Sequence, residues 1–194
     1  MAIFSGSCSC GAVKFRLTDA PMFVHCCHCT DCQRQTGSAF VLNALIEADR
    51  VELLQGTTRG YPQPTESGRP HVIQRCPDCG TAVWSNYGGR EQVRFVRVGT
   101  LDEAHALPPD VHIYTRSKQP WVTLPGDRAG AAGASSGEVG TGSPSDGATT
   151  KKPAEVFEAY YEIGRLWPPE SLARRKAIFG RGCRKPNCRV CKRN

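Results

Sequence analysis

Residues 26–32, with the sequence CCHCTDC, place four thiols within seven residues. Thiols this close together cannot all be tied into disulfides with one another, so the stretch indicates metal binding. Cys27, Cys29 and Cys32 form a CxCxxC motif, a spacing that lets three thiolates converge on one Zn²⁺ at about 2.3 Å per bond. Three protein ligands leave one coordination position open, which is typical of catalytic zinc. The identity of the fourth ligand therefore decides what this site does.

The candidates for a fourth protein ligand are His25, His28 and Cys26. Cys26 directly precedes a presumed ligand, and two adjacent side chains rarely reach the same tetrahedral centre. His28 lies between two presumed ligands and is expected to point away. If one of the three does close the site, the motif holds a second structural zinc instead of a catalytic one.

A second set of four cysteines lies in two motifs that are far apart in the chain. Cys8 and Cys10 form a CxC motif, Cys76 and Cys79 form a CxxC motif, and a glycine that can adopt a left-handed turn follows each. Four thiolates complete the coordination of a closed, structural zinc. We expect this zinc to fix the first strand to the middle of the chain, so that metal binding contributes to the free energy of folding.

The chain has 194 residues and is 39% apolar, which suffices for one core domain and an appendage. Its eleven cysteines would suit a disulfide-rich secreted domain, but residues 1–6 carry no charged segment and no long apolar run. We therefore expect a cytoplasmic protein with reduced thiols. No window approaches the roughly 18–20 apolar residues that cross a bilayer, so no membrane association is expected.

Hydrophobic periodicity predicts a mainly β domain of short antiparallel sheets over residues 1–125. Val13, Phe15 and Leu17 alternate with polar residues, the period of two that is typical of a half-buried strand. Further strands are predicted at residues 22–25, 39–46, 51–54, 71–75, 81–85, 92–98 and 111–114. A helical turn is predicted over residues 31–36, and the Pro, Gly, Ser and Thr residues of 61–70 favour a loop.

Three segments follow the β domain. Residues 126–152 are rich in Gly, Ser and Ala, which predicts a flexible linker. Residues 153–180 are a predicted C-terminal helical segment. Apolar residues three or four positions apart favour a helix over 155–166, and Pro169 suits the first turn of a second helix that runs to Phe179. Residues 181–194 are a basic tail that contains Cys183, Cys188 and Cys191.

The net charge of +7 belongs to the C-terminal part of the chain. Residues 151–194 carry 12 Lys/Arg against 4 Asp/Glu, whereas residues 1–150 carry 13 against 14. A basic chain end can bind phosphate backbones, so one hypothesis is that the tail contacts nucleic acid; the alternative is a solvated, frayed terminus. The three tail cysteines lack a fourth ligand, so the tail by itself does not make a complete zinc finger.

The order and spacing of seven of the eight cysteines in residues 2–125 resemble those of the glutathione-dependent formaldehyde-activating enzyme family, which includes the centromere protein V-like proteins. The segments His112–Tyr114 and Lys118–Trp121 also resemble the downstream block of that family. The resemblance implies a β-tent fold with two Zn²⁺ sites, one structural and one catalytic. The structural ligands would be Cys8, Cys10, Cys76 and Cys79, and the catalytic ligands would be Cys27, Cys29 and Cys32.

The function that the resemblance implies is that of a carbon-sulfur lyase, in which glutathione adds to formaldehyde to give S-(hydroxymethyl)glutathione. An open zinc position could bind the substrate sulfur or polarise the aldehyde oxygen. Another small thiol or aldehyde is equally compatible with the motifs. The alternative function is a non-catalytic zinc module whose basic tail contacts nucleic acid, as the centromere protein V-like branch would allow.

Four further residues are expected to have no direct role in function. Tyr114 and Trp121 are expected in the core, because large aromatic side chains are usually buried. His112 lies within a strand pattern and is expected to be structural. Arg34 is expected to be a solvated surface charge.

Overall fold

The structure is a computed structural model that describes residues 3–65, 68–124, 155–156 and 169–179. The strands are β1 (Phe4–Ser7), β2 (Lys14–Leu17), β3 (Phe23–Cys27), β4 (Val41–Glu47), β5 (Val51–Gln55), β6 (Arg59–Pro62), β7 (His71–Arg75), β8 (Ala82–Tyr87), β9 (Val93–Arg97), β10 (Val111–Ile113) and β11 (Glu155–Val156). The helices are α1 (Thr30–Thr36) and α2 (Pro169–Phe179). Short 3-10 turns cover Ala48–Arg50, Val98–Thr100, Ala104–Ala106 and Thr115–Ser117.

The strands form two sheets, as predicted for a mainly β chain. The small sheet has the order β1-β2-β5 and is antiparallel. The large sheet has the order β11-β10-β3-β4-β9-β8-β7-β6. Its pairs are antiparallel except at one edge, where β10 runs parallel to both β3 and β11. The predicted fold class is confirmed, and the parallel edge is a feature that the sequence did not indicate.

The large sheet carries an apolar cluster on each face. One face packs with the small sheet, where the rings of Phe15 and Trp84 meet edge to face with centroids 5.5 Å apart. The other face carries a separate apolar cluster that includes Phe23, Leu45 and Phe95. Because successive side chains of a strand point to opposite faces, neighbouring residues of β3 enter different clusters. Phe23 lies in the second cluster and Val24 in the first.

Helix α1 follows the end of β3 and is fixed at both ends. Cys29 is the N-cap residue, and its sulfur accepts a hydrogen bond from the backbone N–H of Cys32 at 3.3 Å. Gly37 ends the helix in the left-handed conformation with φ of 63°, and its N–H donates to the carbonyl oxygen of Gln33. The helical turn predicted over residues 31–36 is therefore confirmed, and the helix begins with the motif itself.

Helix α2 packs against the β domain. The Ser171 hydroxyl donates to the carbonyl oxygen of Met22, and the Arg174 guanidinium pairs with Glu47 through Nε and Oε1 at 2.7 Å. Arg174 also donates to the carbonyl oxygen of Ala20 at 2.8 Å. The helix predicted near the C-terminus is confirmed, and Pro169 occupies its first turn as expected.

Three strands differ from the sequence-based expectations. The strand β1 was not predicted, and β6 extends into the predicted loop over 61–70. Strand β6 lies at the edge of the large sheet, next to β7. Pro62 had favoured a loop, but an edge strand tolerates proline. The helix predicted over 155–166 is wrong at its start, because Glu155–Val156 is a strand that pairs with β10. Pairing with the open edge of a sheet outweighs local helical periodicity here.

Several predicted segments lie outside the described residues. These are the linker over 126–152, the remainder of the helix predicted over 155–166, and the basic tail over 181–194. Within the described part of the chain, the structure contains no helix of the length and apolar character that a membrane crossing would require.

Candidate metal centres and pocket

The first cysteine cluster joins the loop after β1 to the loop after β7. Cys8, Cys10, Cys76 and Cys79 have sulfur atoms that all lie within 4.8 Å of one another. The Cys8 and Cys10 sulfurs are 3.4 Å apart, and those of Cys10 and Cys76 are 3.8 Å apart. Four sulfurs at about 2.3 Å around a tetrahedral zinc lie about 3.8 Å from one another. The four residues therefore fit a closed metal site.

Each loop of this first cluster makes a hydrogen-bonded turn that ends at its glycine. The Gly11 N–H donates to the carbonyl oxygen of Cys8, and the Gly80 N–H donates to that of Cys76, each at 3.0 Å. The two glycines have φ of 74° and 73°, a backbone conformation that a residue with a Cβ adopts at a cost. Both motifs therefore use their glycine to turn the chain so that two sulfurs face the same point.

The second cluster is the CxCxxC trio. Cys27 is the last residue of β3, Cys29 caps α1 and Cys32 lies in the first turn of α1. Their three sulfurs lie within 4.8 Å of one another, and all three side chains are buried or half-buried. Hydrogen bonding with Cys27 and Cys32 lowers the pKa of Cys29 to about 2, and the same hydrogen bonding raises the pKa of Cys27.

The three residues considered as a fourth ligand do not join this trio. The His25 Nε2 atom lies 3.0 Å from Asn43 Nδ2, and the guanidinium of Arg97 donates to Asn43 Oδ1. Asn43 must therefore donate to His25, so Nε2 of His25 carries no proton. Burial, together with the nearby Arg97 charge, lowers the pKa of His25 to about 3. Among the described residues, the metal-binding group around the motif contains only its three cysteines.

The trio opens into a cavity of about 730 Å³. The charged side chains that line the cavity are Arg34, Arg69, Arg90, Arg97, Arg116 and Asp31. Five cations against one carboxylate give the cavity a strongly positive potential. Its size falls within the range of small-molecule sites. The cavity therefore favours a small anionic ligand beside the sulfur atoms.

Aromatic side chains from β7, β8 and β9 line part of the cavity. The rings of His71 and Tyr87 stack with centroids 3.9 Å apart, and Tyr87 meets Phe95 edge to face at 4.9 Å. The Tyr87 hydroxyl lies 3.9 Å from the Cys32 sulfur. Burial raises the pKa of Tyr87 above its usual value, so the hydroxyl keeps its proton. Burial and the Arg97 charge lower the pKa of His71 to about 4, so this imidazole is neutral at pH 7.

A third cluster lies on the other face of β3. It contains Cys26, His28 and His112, whose ligand atoms all lie within 4.8 Å of one another. Burial lowers the pKa of both histidines, that of His28 to about 4, and burial raises the pKa of Cys26 to about 12. This cluster was not predictable from the sequence, because it depends on the pairing of β3 with β10.

One of the structural interpretations needs revision. Trp121 is 70% exposed and does not belong to the core, so that expectation is wrong. Its position after the 3-10 turn at the end of the domain leaves its ring outside both apolar clusters. Tyr114 is half-buried and, like the exposed Arg34, lines the cavity. Tyr114 also packs against the second apolar cluster, so its burial agrees in part with the expectation.

The fold and the site together define a mainly β protein whose cysteine and histidine clusters could hold metal ions. A sequence model of the family described as "Glutathione-dependent formaldehyde-activating enzyme" matches residues 3–117. This match covers more than half of the chain, and the chain belongs to that family. The resemblance inferred from the cysteine motifs is confirmed.

Two individual proteins are similar to the chain. A curated protein of Halomonas elongata named "Putative glutathione-dependent formaldehyde-activating enzyme" is 26% identical over 133 residues, which cover 63% of this chain and 81% of that protein. A solved structure of a Rhodobacter sphaeroides protein is 19% identical and covers 50% of this chain and 87% of that one, with a TM-score of 0.39.

Proposed function

We propose that the protein is a zinc-dependent carbon-sulfur lyase that acts on adducts of a small thiol and a small aldehyde. The proposed pair is glutathione and formaldehyde, as in the family's name and in that of the Halomonas elongata relative. The observation that carries the proposal is the opening of the three-cysteine cluster into a cavity lined by five arginines. The three cysteines that we propose as catalytic thus line the cavity.

The proposed metal ligands divide into two sets. Cys8, Cys10, Cys76 and Cys79 would hold a structural Zn²⁺, and their sulfur separations of 3.4 and 3.8 Å suit it. Cys27, Cys29 and Cys32 would hold a catalytic Zn²⁺, because three thiolates leave a position for a ligand from the cavity. When bound there, zinc supplies Lewis acidity, which lowers the pKa of a thiol or polarises a carbonyl group.

The arginines would bind the peptide part of the substrate. Glutathione carries two carboxylates, and guanidinium groups bind carboxylates with paired, charge-assisted hydrogen bonds. Arg34 on α1 and Arg116 in the turn after β10 are both exposed at the cavity, so both are accessible to a ligand. Arg97 is buried and donates to Asn43 Oδ1 instead. It would contribute to ligand binding only through its positive charge. The cavity would orient the tripeptide with its thiol towards the trio.

In the proposed reaction, the thiol sulfur forms a bond to the aldehyde carbon and the carbonyl π bond breaks. The thiol proton is released and the former carbonyl oxygen takes up one proton, so the addition is balanced without an oxidant or reductant. Tyr87 is placed to donate a hydrogen bond to that oxygen, because its protonated hydroxyl lies 3.9 Å from the Cys32 sulfur. The same contacts serve the reverse reaction, in which the carbon-sulfur bond breaks.

The proposal is tested by measuring adduct formation with ¹³C-labelled formaldehyde and glutathione in an NMR exchange experiment. The expected result is exchange between free and adduct formaldehyde faster than the spontaneous rate. The Tyr87→Phe variant should accelerate the exchange less than the wild type while it retains its metal. If glutathione and other small thiols, tested with several small aldehydes, all react at the spontaneous rate, the lyase proposal is wrong.

Reduced thiols are required for this chemistry, which favours a reducing compartment such as the cytoplasm. We also propose residues 1–125 as the unit that carries both cysteine clusters. The basic tail lies outside the described residues. No observation on the described residues favours contact with nucleic acid, which stays a prediction.

A further inference from the structure

The cluster of Cys26, His28 and His112 lies on the face of the large sheet opposite the CxCxxC trio, and the proposed lyase does not use it. We propose that these three residues form a third metal site, for a divalent ion of the zinc class, that joins β3 to β10. The proposal does not depend on lyase activity, because it rests on a separate set of side chains.

The pairing of two neighbouring strands brings the three ligands together. Cys26 of β3 and His112 of β10 are Cα partners in the parallel ladder, so their side chains point to the same face. His28 follows Cys26 by two residues and shares that face. The His28 N–H donates to the carbonyl oxygen of Ile113 at 3.0 Å, which extends the ladder by one residue beyond β3. The backbone thus places all three ligands.

The separations of the ligand atoms fit a tetrahedral ion. The Nε2 atom of His28 lies 3.5 Å from the Cys26 sulfur and 3.0 Å from Nδ1 of His112. A tetrahedral zinc with bonds of about 2.3 Å to sulfur and about 2.0 Å to nitrogen separates such atoms by about 3.5 Å and about 3.3 Å. One thiolate and two imidazoles form a donor set that suits zinc and excludes calcium or magnesium.

Both the backbone and the ring of His28 are held in place by neighbouring residues. The carbonyl oxygen of His28 accepts hydrogen bonds from Gln33 Nε2 at 2.7 Å and from the Ser117 hydroxyl at 3.0 Å. The ring packs against Phe40 with centroids 5.5 Å apart and stacks on His112 at 5.3 Å. This packing fixes the orientation of the His28 and His112 rings, so metal binding would require little rearrangement.

The competing arrangement is a pair of histidines joined by a hydrogen bond, with Cys26 as a buried thiol. In that arrangement one imidazole donates to the other and no ion is held. Metal binding would instead replace the thiol proton of Cys26, which is released, while both imidazoles remain neutral. The two arrangements differ in whether an imidazole nitrogen is bonded to the metal.

Zinc K-edge X-ray absorption on the zinc-loaded, reduced full chain separates the two arrangements directly. The lyase proposal uses seven cysteine ligands and no histidine. The third site adds imidazole nitrogens to the coordination sphere, and we expect their scattering in the wild-type spectrum. A wild-type spectrum with sulfur ligands only would overturn the proposal without any need for a variant.

Two variants assign the imidazole signal. His112→Gln and Cys26→Ser should each bind one zinc equivalent fewer than the wild type and lose the imidazole scattering. His105→Gln is the matched control, because His105 is exposed in the 3-10 turn Ala104–Ala106, and it should bind as much zinc as the wild type. Unchanged zinc content and imidazole scattering in both variants would overturn the proposal. An inactive lyase that retains imidazole-bound zinc would contradict the proposed function and leave this inference intact.

Discussion

Cys26 and Cys27 are neighbours in the chain, yet their side chains belong to two different ligand clusters. They lie at the end of β3, where consecutive side chains point to opposite faces of the large sheet. Cys27 faces the cavity with Cys29 and Cys32, and Cys26 faces His112 across the parallel pair. Strand β3 thus presents candidate metal ligands on both faces of the large sheet.

Replacement of one cysteine from each of the two zinc sites of the proposed lyase should give opposite results. Cys29→Ser should abolish turnover and leave a folded protein, because serine is itself a favourable N-cap for α1. Cys79→Ser should lower the free energy of unfolding by several kcal/mol, a share of the roughly 10 kcal/mol that a structural zinc contributes. Turnover, circular dichroism and urea unfolding of both variants provide the measurement. Identical behaviour of the two would show that the division into catalytic and structural sites is wrong.

Loss of an exposed arginine from the cavity should weaken substrate binding and leave the fold unchanged. For Arg116→Gln we expect KM for glutathione to rise about 5-fold, since a solvent-exposed ion pair contributes about 1 kcal/mol. The kcat value should change little, because the residue is placed to bind the peptide and not the reacting atoms. Arg59→Gln is the matched control, since Arg59 is exposed but lies over the Tyr61 ring outside the cavity. Equal KM values for the two variants would contradict the proposed role.

The contact between α2 and the β domain should depend on Arg174. In Arg174→Ala, the largely buried Glu47 keeps its ion pair with Arg50 at 3.8 Å but loses two closer bonds to Arg174. We expect the free energy of unfolding to fall by about 1–2 kcal/mol. Amide hydrogen exchange should rise in α2 more than in β4. Lys176→Ala, at an exposed position of the same helix, is the comparison. A uniform loss of protection across the whole domain would argue against a local role in fixing the helix.

The neutral His71 makes stability depend on pH below neutrality. Its pKa is lowered to about 4 in the folded state, so between pH 6.5 and 4 the unfolded state binds more protons. The contribution of His71 to the free energy of unfolding is fully present above about pH 6.5 and is lost as the pH falls towards 4. At pH 5 we expect a loss of about 1 kcal/mol after allowance for solvent screening.

The comparison of His71→Gln with the wild type isolates this effect, because protonation of the zinc thiolates at low pH is common to both proteins. Urea unfolding at pH 7 and pH 5 should show a smaller difference in the variant. His105→Gln should behave like the wild type, as His105 is exposed. A variant with an undiminished pH response would show that His71 does not carry the dependence.

The cysteine motifs and the alternating strands were predictable from the sequence because both depend on local spacing. The CxCxxC motif predicted that Cys27, Cys29 and Cys32 lie together, as they do. The strand predicted over 71–75 agrees with β7. The pairing of β3 with β10 was not predictable, since it joins residues about 86 positions apart and leaves no periodic trace. The position of His112 beside Cys26 depends on that pairing. The meeting of five arginines in the cavity depends on the fold of the surrounding loops and strands.

The same parallel pair imposes an order on how the chain folds. The hairpins β3-β4 and β7-β8 can form early because their strands are close in sequence. Strand β10 can join β3 only after the whole intervening segment has closed into a loop, which carries a large entropic cost before any contact compensates for it. We therefore expect refolding to take milliseconds to seconds, with docking of β10 as its late step. Until that step, the edge of β3 is exposed, and a newly made chain can pair with a second copy there.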